Sequence, residues 1–340
     1  MTIHVGILGG GNIADTHARA ASEVDGVKLV AVAGENAAKV ARLAERYGAA
    51  AYPDVDALAR HRPLDVVLIG SPSGLHARQG IVAARGGIHV LVEKPIDVEV
   101  ARADALIAAC REAGVKLGVF FQDRFAPDLV LLKQALDAGA IGRPLLASAR
   151  VKWWRPPQYY SQSRWRGTLA LDGGGALMNQ GIHTVDLLLW LLGGVRRVWA
   201  RTANLVHPIE SEDTAVATLE FESGAVATLE ATTAAFPGYP RQIELTGSEG
   251  TVVVQQDSIL RADLRAAWPG LVGGVASDNT SASSPVVSDV RGHRAAIEDF
   301  LRALREGGEP RCDGPEGRRS LVVADAIYRS ARSDAPVTLP

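Results

Sequence analysis

The chain has only two cysteines, Cys110 and Cys312, in 340 residues. That is too few for a disulfide framework, and neither has a Cys or His neighbour at zinc-ligand spacing, so reduced thiols and no metal centre are expected. An excess of charge of one sign is also lacking. The 36 Lys and Arg residues against 38 Asp and Glu leave a formal charge of -2, which offers no field to nucleic acid or any other polyanion. No apolar run approaches the roughly 20 residues that span a bilayer. The richest, Val185 to Leu192, is short and includes Asp186. The opening MTIHVGILGGG has no cationic leader and no small-residue cleavage site, so it reads as a strand rather than a signal peptide. A cytoplasmic protein without a membrane partner is expected.

What is present is an ordinary globular composition, 47% hydrophobic and 22% charged. Single cores stop growing at roughly 250 to 300 residues, so two domains are expected. Over the first part of the chain, short β-branched runs alternate with amphipathic stretches. The strand candidates are Ile3 to Leu8, Leu29 to Ala33, Val66 to Gly70, His89 to Val92 and Val115 to Phe120. The helix candidates are Asn12 to Glu23, Ala37 to Tyr47, Leu75 to Arg85 and Val98 to Ala113, ending near Gly26, Gly48, Gly86 and Gly114. With right-handed crossovers this predicts an α/β fold with a doubly wound parallel sheet, a Rossmann domain over residues 1–122.

Beyond Phe121 the pattern changes. A helix from Pro127 to Ala138 and a strand from Leu145 are followed by two hairpin signals, Ala215 to Phe221 with Ala225 to Ala231, and Gln242 to Thr246 with Gly250 to Val254. Residues 123–340 are therefore predicted to form an α+β domain with a mostly antiparallel sheet. Residues 269–290 read as a long loop, followed by helices from His293 to Arg305 and from Gly317 to Ser330.

Three segments carry chemistry. Gly9-Gly10-Gly11-Asn12-Ile13-Ala14 fits GxGxxA between a strand and a helix. Gly9 permits a tight turn and Gly11 a close backbone approach to a pyrophosphate, while the helix N-terminus offers unpaired N–H groups. The residue that reads the adenosine ribose belongs at the end of the second strand, where Gly34 is followed by Glu35. A carboxylate there opposes a 2′-phosphate, so NAD is preferred over NADP, unless Lys39 or Arg42 folds back towards the ribose.

The second segment, His89-Val90-Leu91-Val92-Glu93-Lys94-Pro95, puts a charged pair just past the carboxyl end of a buried strand, where open α/β sheets bind ligands. A plain turn is the competing reading. The third runs from Leu171 to Asp186, where a flexible glycine run precedes a helix. Its residues Asn179, His183 and Asp186 lie at i, i+4, i+7 beside the apolar stripe Met178, Ile182, Val185, Leu189, Leu192, which predicts a polar stripe along a cleft wall. A core histidine satisfied by one hydrogen bond is the alternative.

In the order and spacing of the glycine loop, Glu93-Lys94-Pro95, Trp165-Arg166, the glycine run and His183, the chain resembles the Gfo/Idh/MocA oxidoreductases over nearly its whole length. The resemblance implies an NAD(P)-dependent dehydrogenase acting on CH–OH groups, with an open C-terminal sheet and a homo-oligomer, dimer or tetramer. By that analogy Lys94 polarises the reacting oxygen and His183 transfers the proton. Ser71, Pro72, His76, Glu93 and Gln122 contact the cofactor, and Trp165 and Arg166 close over it. Many members carry aspartate where this chain has Asn179. An amide binds a hydroxyl but cannot take its proton, so His183, or Lys94 with a lowered pKa, must be the base.

Aromatics make up only 5% of the chain, yet Trp153, Trp154, Tyr159, Tyr160 and Trp165 fall in one segment with Lys152, Arg155, Arg164 and Arg166. Aromatic faces suit sugar rings and guanidinium groups suit anions, which favours an anionic carbohydrate, with Arg155 a substrate-binding candidate. These rings serving as domain core is the other reading. The expected substrates are a sugar, sugar acid, nucleotide sugar or cyclitol. An NAD-retaining glycoside hydrolase of the same fold and a non-catalytic dinucleotide-binding regulator are the rivals. A serine hydrolase is excluded because Gly70-Ser71-Pro72-Ser73-Gly74 has proline where GxSxG needs its nucleophile.

Overall fold

The structure, a computed structural model, describes residues 2–274, 282–283 and 289–340. The chain divides into two compact units, Met1–Gln122 with Val286–Leu321 and Asp123–Pro285 with Val322–Pro340. In the first, strands and helices alternate as β1 (Ile3–Leu8), α1 (Asn12–Ser22), β2 (Val27–Ala33), α2 (Ala37–Tyr47), β3 (Ala50–Tyr52), α3 (Val55–Leu58), β4 (Val66–Ile69), α4 (His76–Arg85), β5 (His89–Glu93), α5 (Val100–Glu112) and β6 (Leu117–Phe120). The sheet order is β3-β2-β1-β4-β5-β6 and every pair is parallel. This is the doubly wound order, with the reversal between β1 and β4. Strands β4 and β6 are buried at every residue, which is why they read as unbroken apolar runs.

Helix ends fall close to the glycines expected. Gly48 (φ +62°) and Gly114 (φ +67°) follow α2 and α5 in the left-handed region, but after α4 the left-handed residue is Gly87 (φ +73°) rather than Gly86 (φ -80°). The chain coils one residue further than expected before it turns. Strand β3 and helix α3 went unread because three or four residues are too few to display a period.

The second unit holds α6 (Pro127–Asp137), β7 (Pro144–Lys152), α7 (Pro157–Ser161), a π-helical turn (Ala176–Gly181), α8 (Ile182–Leu192) and the strands β8 (Val195–Ala203), β9 (Thr214–Phe221), β10 (Val226–Thr232), β11 (Gln242–Gly247), β12 (Gly250–Gln255) and β13 (Ser258–Leu264). After these, α9 (Arg291–Glu306) returns to the first unit and packs on α1 and β6, followed by α10 (Gly314–Ser333) and β14 (Val337–Thr338). The second sheet runs β13-β12-β11-β7-β10-β9-β8-β14, antiparallel except for β7 with β10. Burial alternates along β9 and β10, so one face is covered and the other open. The covered face meets the π-turn and α8, with Val151, Ala176 and Ala231 fully packed and Trp153 against them. On the open face Leu146, Trp199, Val216 and Val226 are exposed.

Of the long loop expected over 269–290, residues 269–274 carry no helix or strand, and 275–281 and 284–288 lie outside the described residues. No helix among the described residues is long and apolar enough to cross a membrane.

Candidate active site

In the first unit the residues singled out at strand ends share one edge of the sheet, because all six strands run parallel. Gly9 turns out of β1 at φ +129°, and a Cβ there would lie 2.7 Å from the Gly70 carbonyl oxygen at the end of β4. Gly11, the N-cap of α1, has an ordinary φ of -92° and no side-chain cap, and a Cβ on it would meet nothing within 4 Å. Space therefore lies open beside Gly11 at the N-terminus of α1, where a dinucleotide pyrophosphate would approach. Glu35 is exposed in the bend after Gly34, and Lys39 and Arg42 are exposed on α2. Gln122, following β6, has a buried side-chain oxygen that meets no hydrogen-bond donor among the described residues. An open cradle and an unsatisfied carboxamide on the same sheet edge fit a bound NAD(P).

Two expected cofactor contacts are engaged inside the protein. His76 is buried, with Nδ1 2.8 Å from the Pro95 carbonyl and Nε2 2.9 Å from the Ser71 carbonyl. Burial holds its pKa below the ordinary value although the two carbonyls oppose this. Its place is to tie the loop after β4 to the turn after β5. The Ser71 hydroxyl donates to Gln79 at 2.6 Å, and Pro72 caps a short 3₁₀ turn.

Glu93 is buried, its Oε1 3.0 Å from His17 Nε2 on α1 and 3.3 Å from His293 Nε2 on α9. Burial alone would raise its pKa, but the two imidazoles more than offset this and hold it well below the ordinary value. The His17 pKa is lowered by burial, against the pull of Glu93. The His17 ring nitrogen is then the donor and the carboxylate the acceptor. Glu93 Oε2 also accepts from the Lys94 N–H at 3.2 Å, which fixes the backbone from which Lys94 projects. The ligand atoms of His17, Glu93 and His293 lie within 4.8 Å of one another, a spacing that could also hold a metal ion.

In the second unit the glycine run is not a flexible lead-in. A Cβ at Gly174 would overlap the Tyr328 hydroxyl, and one at Gly175 the Glu212 carbonyl, so these glycines allow close packing. Glu212 accepts from the N–H groups of Gly175 (3.1 Å) and Leu177 (2.8 Å) and from Tyr328 (3.0 Å), and so holds the start of the π-turn.

The expected stripe of Asn179, His183 and Asp186 is also corrected. The π-turn ends at Gly181, and a wider turn breaks the 3.6-residue phase on which the stripe rested. Asp186 points inward and makes a two-pronged ion pair with Arg124 at 2.8 and 2.7 Å, both residues 1% exposed. It lines no cleft. Asn179 donates to Asp172 at 2.6 Å and accepts from Gln180 at 3.3 Å. His183 Nδ1 is 3.8 Å from an oxygen of Asp123, which is also gripped by Arg241. Asp123, Asp172, Arg241 and Glu212 escaped the sequence reading. Only Asp123 left a trace, sitting beside Gln122 just past a strand's carboxyl end.

The aromatic and basic segment is largely packed. Tyr159 and Tyr160 are buried and meet edge to face at 4.9 Å, and the Tyr160 hydroxyl bonds Thr233 at 2.8 Å. Arg155 is buried, donates to the Trp154 carbonyl at 2.9 Å and lies 5.5 Å from the Tyr159 ring centre. Arg166 lies 4.2 Å over the same ring and 5.4 Å over Trp165. Gln180 donates to the Tyr159 hydroxyl at 3.1 Å, so this cluster is linked through Gln180 to Asn179.

Residues 3–121 match the profile described as "Oxidoreductase family, NAD-binding Rossmann fold", and residues 129–253 that of the "GFO/IDH/MocA C-terminal domain". Among solved structures, the WlbA dehydrogenase from Bordetella pertussis, in complex with NADH and UDP-GlcNAcA, is 34% identical with a TM-score of 0.91 over 100% of this chain and 98% of that one. D-xylose 1-dehydrogenase (NADP(+)) 2 of Haloferax volcanii is 30% identical over 98% of this chain and 99% of its own length. Inositol 2-dehydrogenase of Rhizobium meliloti is 27% identical over the whole of both. With both halves matched and the cofactor cradle formed, this chain belongs to the GFO/IDH/MocA family of NAD(P)-dependent oxidoreductases.

Proposed function

We propose that this chain oxidises or reduces a secondary alcohol or ketone of a nucleotide-linked sugar acid, with the dinucleotide on the first unit and the substrate on the second, so that residues 286–321 fall with the first rather than with 123–340. The observation that carries the reading is the full-length likeness to the WlbA dehydrogenase, solved with NADH and UDP-GlcNAcA. The arginines of the 152–166 segment are in keeping with an anionic substrate. When bound, the nicotinamide supplies the hydride acceptor or donor. The chain's own residues handle the oxygen and the proton. Lys94, anchored through its N–H on the buried Glu93, holds the reacting oxygen with its ammonium group. His183 takes the hydroxyl proton as the carbonyl forms and returns it in reduction. Asn179, with its amide committed to Asp172, orients rather than accepts a proton.

NAD is the preferred cofactor on this reading, because exposed Glu35 follows the second strand and repels a 2′-phosphate. Tighter binding of NADP than of NAD would overturn that preference. The direct test follows reduced-nicotinamide absorbance with NAD and UDP-GlcNAcA, beside cyclitols, aldoses, uronates and glycosides. Turnover of UDP-GlcNAcA well above the neutral sugars is expected. Faster turnover of a cyclitol or free aldose refutes the substrate class. Lys94→Ala and His183→Ala should each lower turnover at least ~100-fold while NADH still binds.

A further inference from the structure

We propose that Asp123 is the positioning carboxylate of His183, fixing which imidazole nitrogen exchanges the substrate proton. This rests on the acid/base role given to His183 above. A histidine that moves a proton through one ring nitrogen needs the other held by a partner, which sets the tautomer and the ring's orientation. The side chain one turn away, Asn179, carries no carboxylate, and its amide donates to Asp172 at 2.6 Å while its oxygen accepts from Gln180. The carboxylate that faces the ring comes instead from Asp123, its Oδ2 3.8 Å from His183 Nδ1.

Asp123 is itself held in place. Arg241 pairs with it, and that guanidinium also donates to the Gln256 carbonyl at 2.8 Å and to Asp257 at 2.6 Å. The Arg241 side chain is 6% exposed, whereas Asp123 and His183 are 14% and 13% exposed. A buried cation, held by the Gln256 carbonyl and Asp257, therefore grips the same carboxylate oxygen that faces a partly open histidine. At 3.8 Å the contact is an ion-pair distance, and closure to a hydrogen bond needs a shift of only about 1 Å. Catalytic hydrogen bonds are commonly long before ligand binds and tighten in the complex. The carboxylate that position 179 lacks is thus supplied to the imidazole by Asp123.

The first test needs no substrate. The nitrogen shifts of ¹⁵N-labelled histidine, with the His183 signal assigned by its absence in His183→Gln, report the neutral tautomer. A proton on Nδ1 in the wild type is expected, with a shift towards the Nε2–H form in Asp123→Ala, which removes the oxygen that faces the ring. A wild-type ring protonated on Nε2 overturns the proposal. Asp123→Asn keeps an amide oxygen facing both Arg241 and His183, so that variant removes the charge alone.

The second test is turnover of UDP-GlcNAcA. Asp123→Asn should lower kcat about 10- to 100-fold with NADH affinity unchanged. Asp123→Glu should recover part of the loss, and Asp123→Asn should add nothing in a His183→Ala background. An equal loss in both backgrounds means a merely structural residue and refutes the proposal. If His183→Ala itself turns over normally, the catalytic reading of His183 fails; if it is inactive while Asp123→Asn is normal, only the role of Asp123 fails.

Discussion

Two glycines two residues apart should answer in opposite ways to the same substitution. At Gly9 an alanine must adopt φ +129°, and its Cβ would sit 2.7 Å from a backbone oxygen and 3.0 Å from the carbon that bears it. A left-handed alanine costs about 1–2 kcal/mol, and displacing packed backbone a further 1–3 kcal/mol or so, giving roughly 2–5 kcal/mol for Gly9→Ala. At Gly11 the backbone is ordinary and the new methyl meets nothing within 4 Å. Weaker capping by alanine and lower entropy of the unfolded chain act in opposite directions, so Gly11→Ala should change stability by less than about 1 kcal/mol. Its methyl, however, stands where a pyrophosphate approaches the helix N-terminus. NADH should bind at least ~10-fold more weakly, about 1.4 kcal/mol. Urea unfolding and NADH fluorescence titration on the same preparations separate the two effects. If Gly11→Ala binds NADH within about twofold of wild type, the dinucleotide does not cross Gly11; if Gly9→Ala is as stable as wild type, the overlap with Gly70 carries no weight.

Acid should destabilise the first unit through His17 and His76, which are fully buried with pKa values lowered from the ordinary 6.5. Below about pH 6.5 the unfolded chain takes up protons that the folded chain refuses. Stability should therefore fall with pH by about 1.4 kcal/mol per unit for each histidine until the folded pKa is reached. Urea midpoints that stay flat from about pH 7.5 to 5.5 would contradict this. The His17–Glu93–His293 cluster should hold together without a metal, since Glu93 already accepts from His17 on one oxygen and from the Lys94 N–H on the other. Dialysis against EDTA should leave Tm unchanged, and a drop reversed by zinc would instead establish a metal centre.

The parts legible in the sequence are those whose signal is local. Strand β4 is buried on both faces and shows a continuous apolar run, and Gly9 to Ala14 show strand, turn and helix start within a few residues. Strand β8, with the sequence VRRVWARTA, shows no clean alternation because a bulge between Val195 and Arg197 puts two exposed arginines in succession. The charged network around His183 was invisible for another reason. Arg124 and Asp186 are 62 residues apart, and Asp123 and Arg241 118 apart, so no spacing rule joins them.

The change at position 179 shows what this costs a reading by analogy. Position 179 looks like a missing base, as though aspartate would restore it. In the fold its amide nitrogen lies 2.6 Å from a carboxylate oxygen of Asp172, which is 1% exposed. An aspartate at 179 would set two carboxylates against each other there, and one would take up a proton, its pKa raised by the other's charge. A raised folded pKa gives stability that is present at low pH and lost as pH rises through it. Asn179→Asp should therefore destabilise the protein by about 1–3 kcal/mol at alkaline pH and by less near pH 5, without raising turnover. If turnover rises and stability is unaffected at about pH 8, Asp172 has no claim on residue 179, and the base does belong at that position.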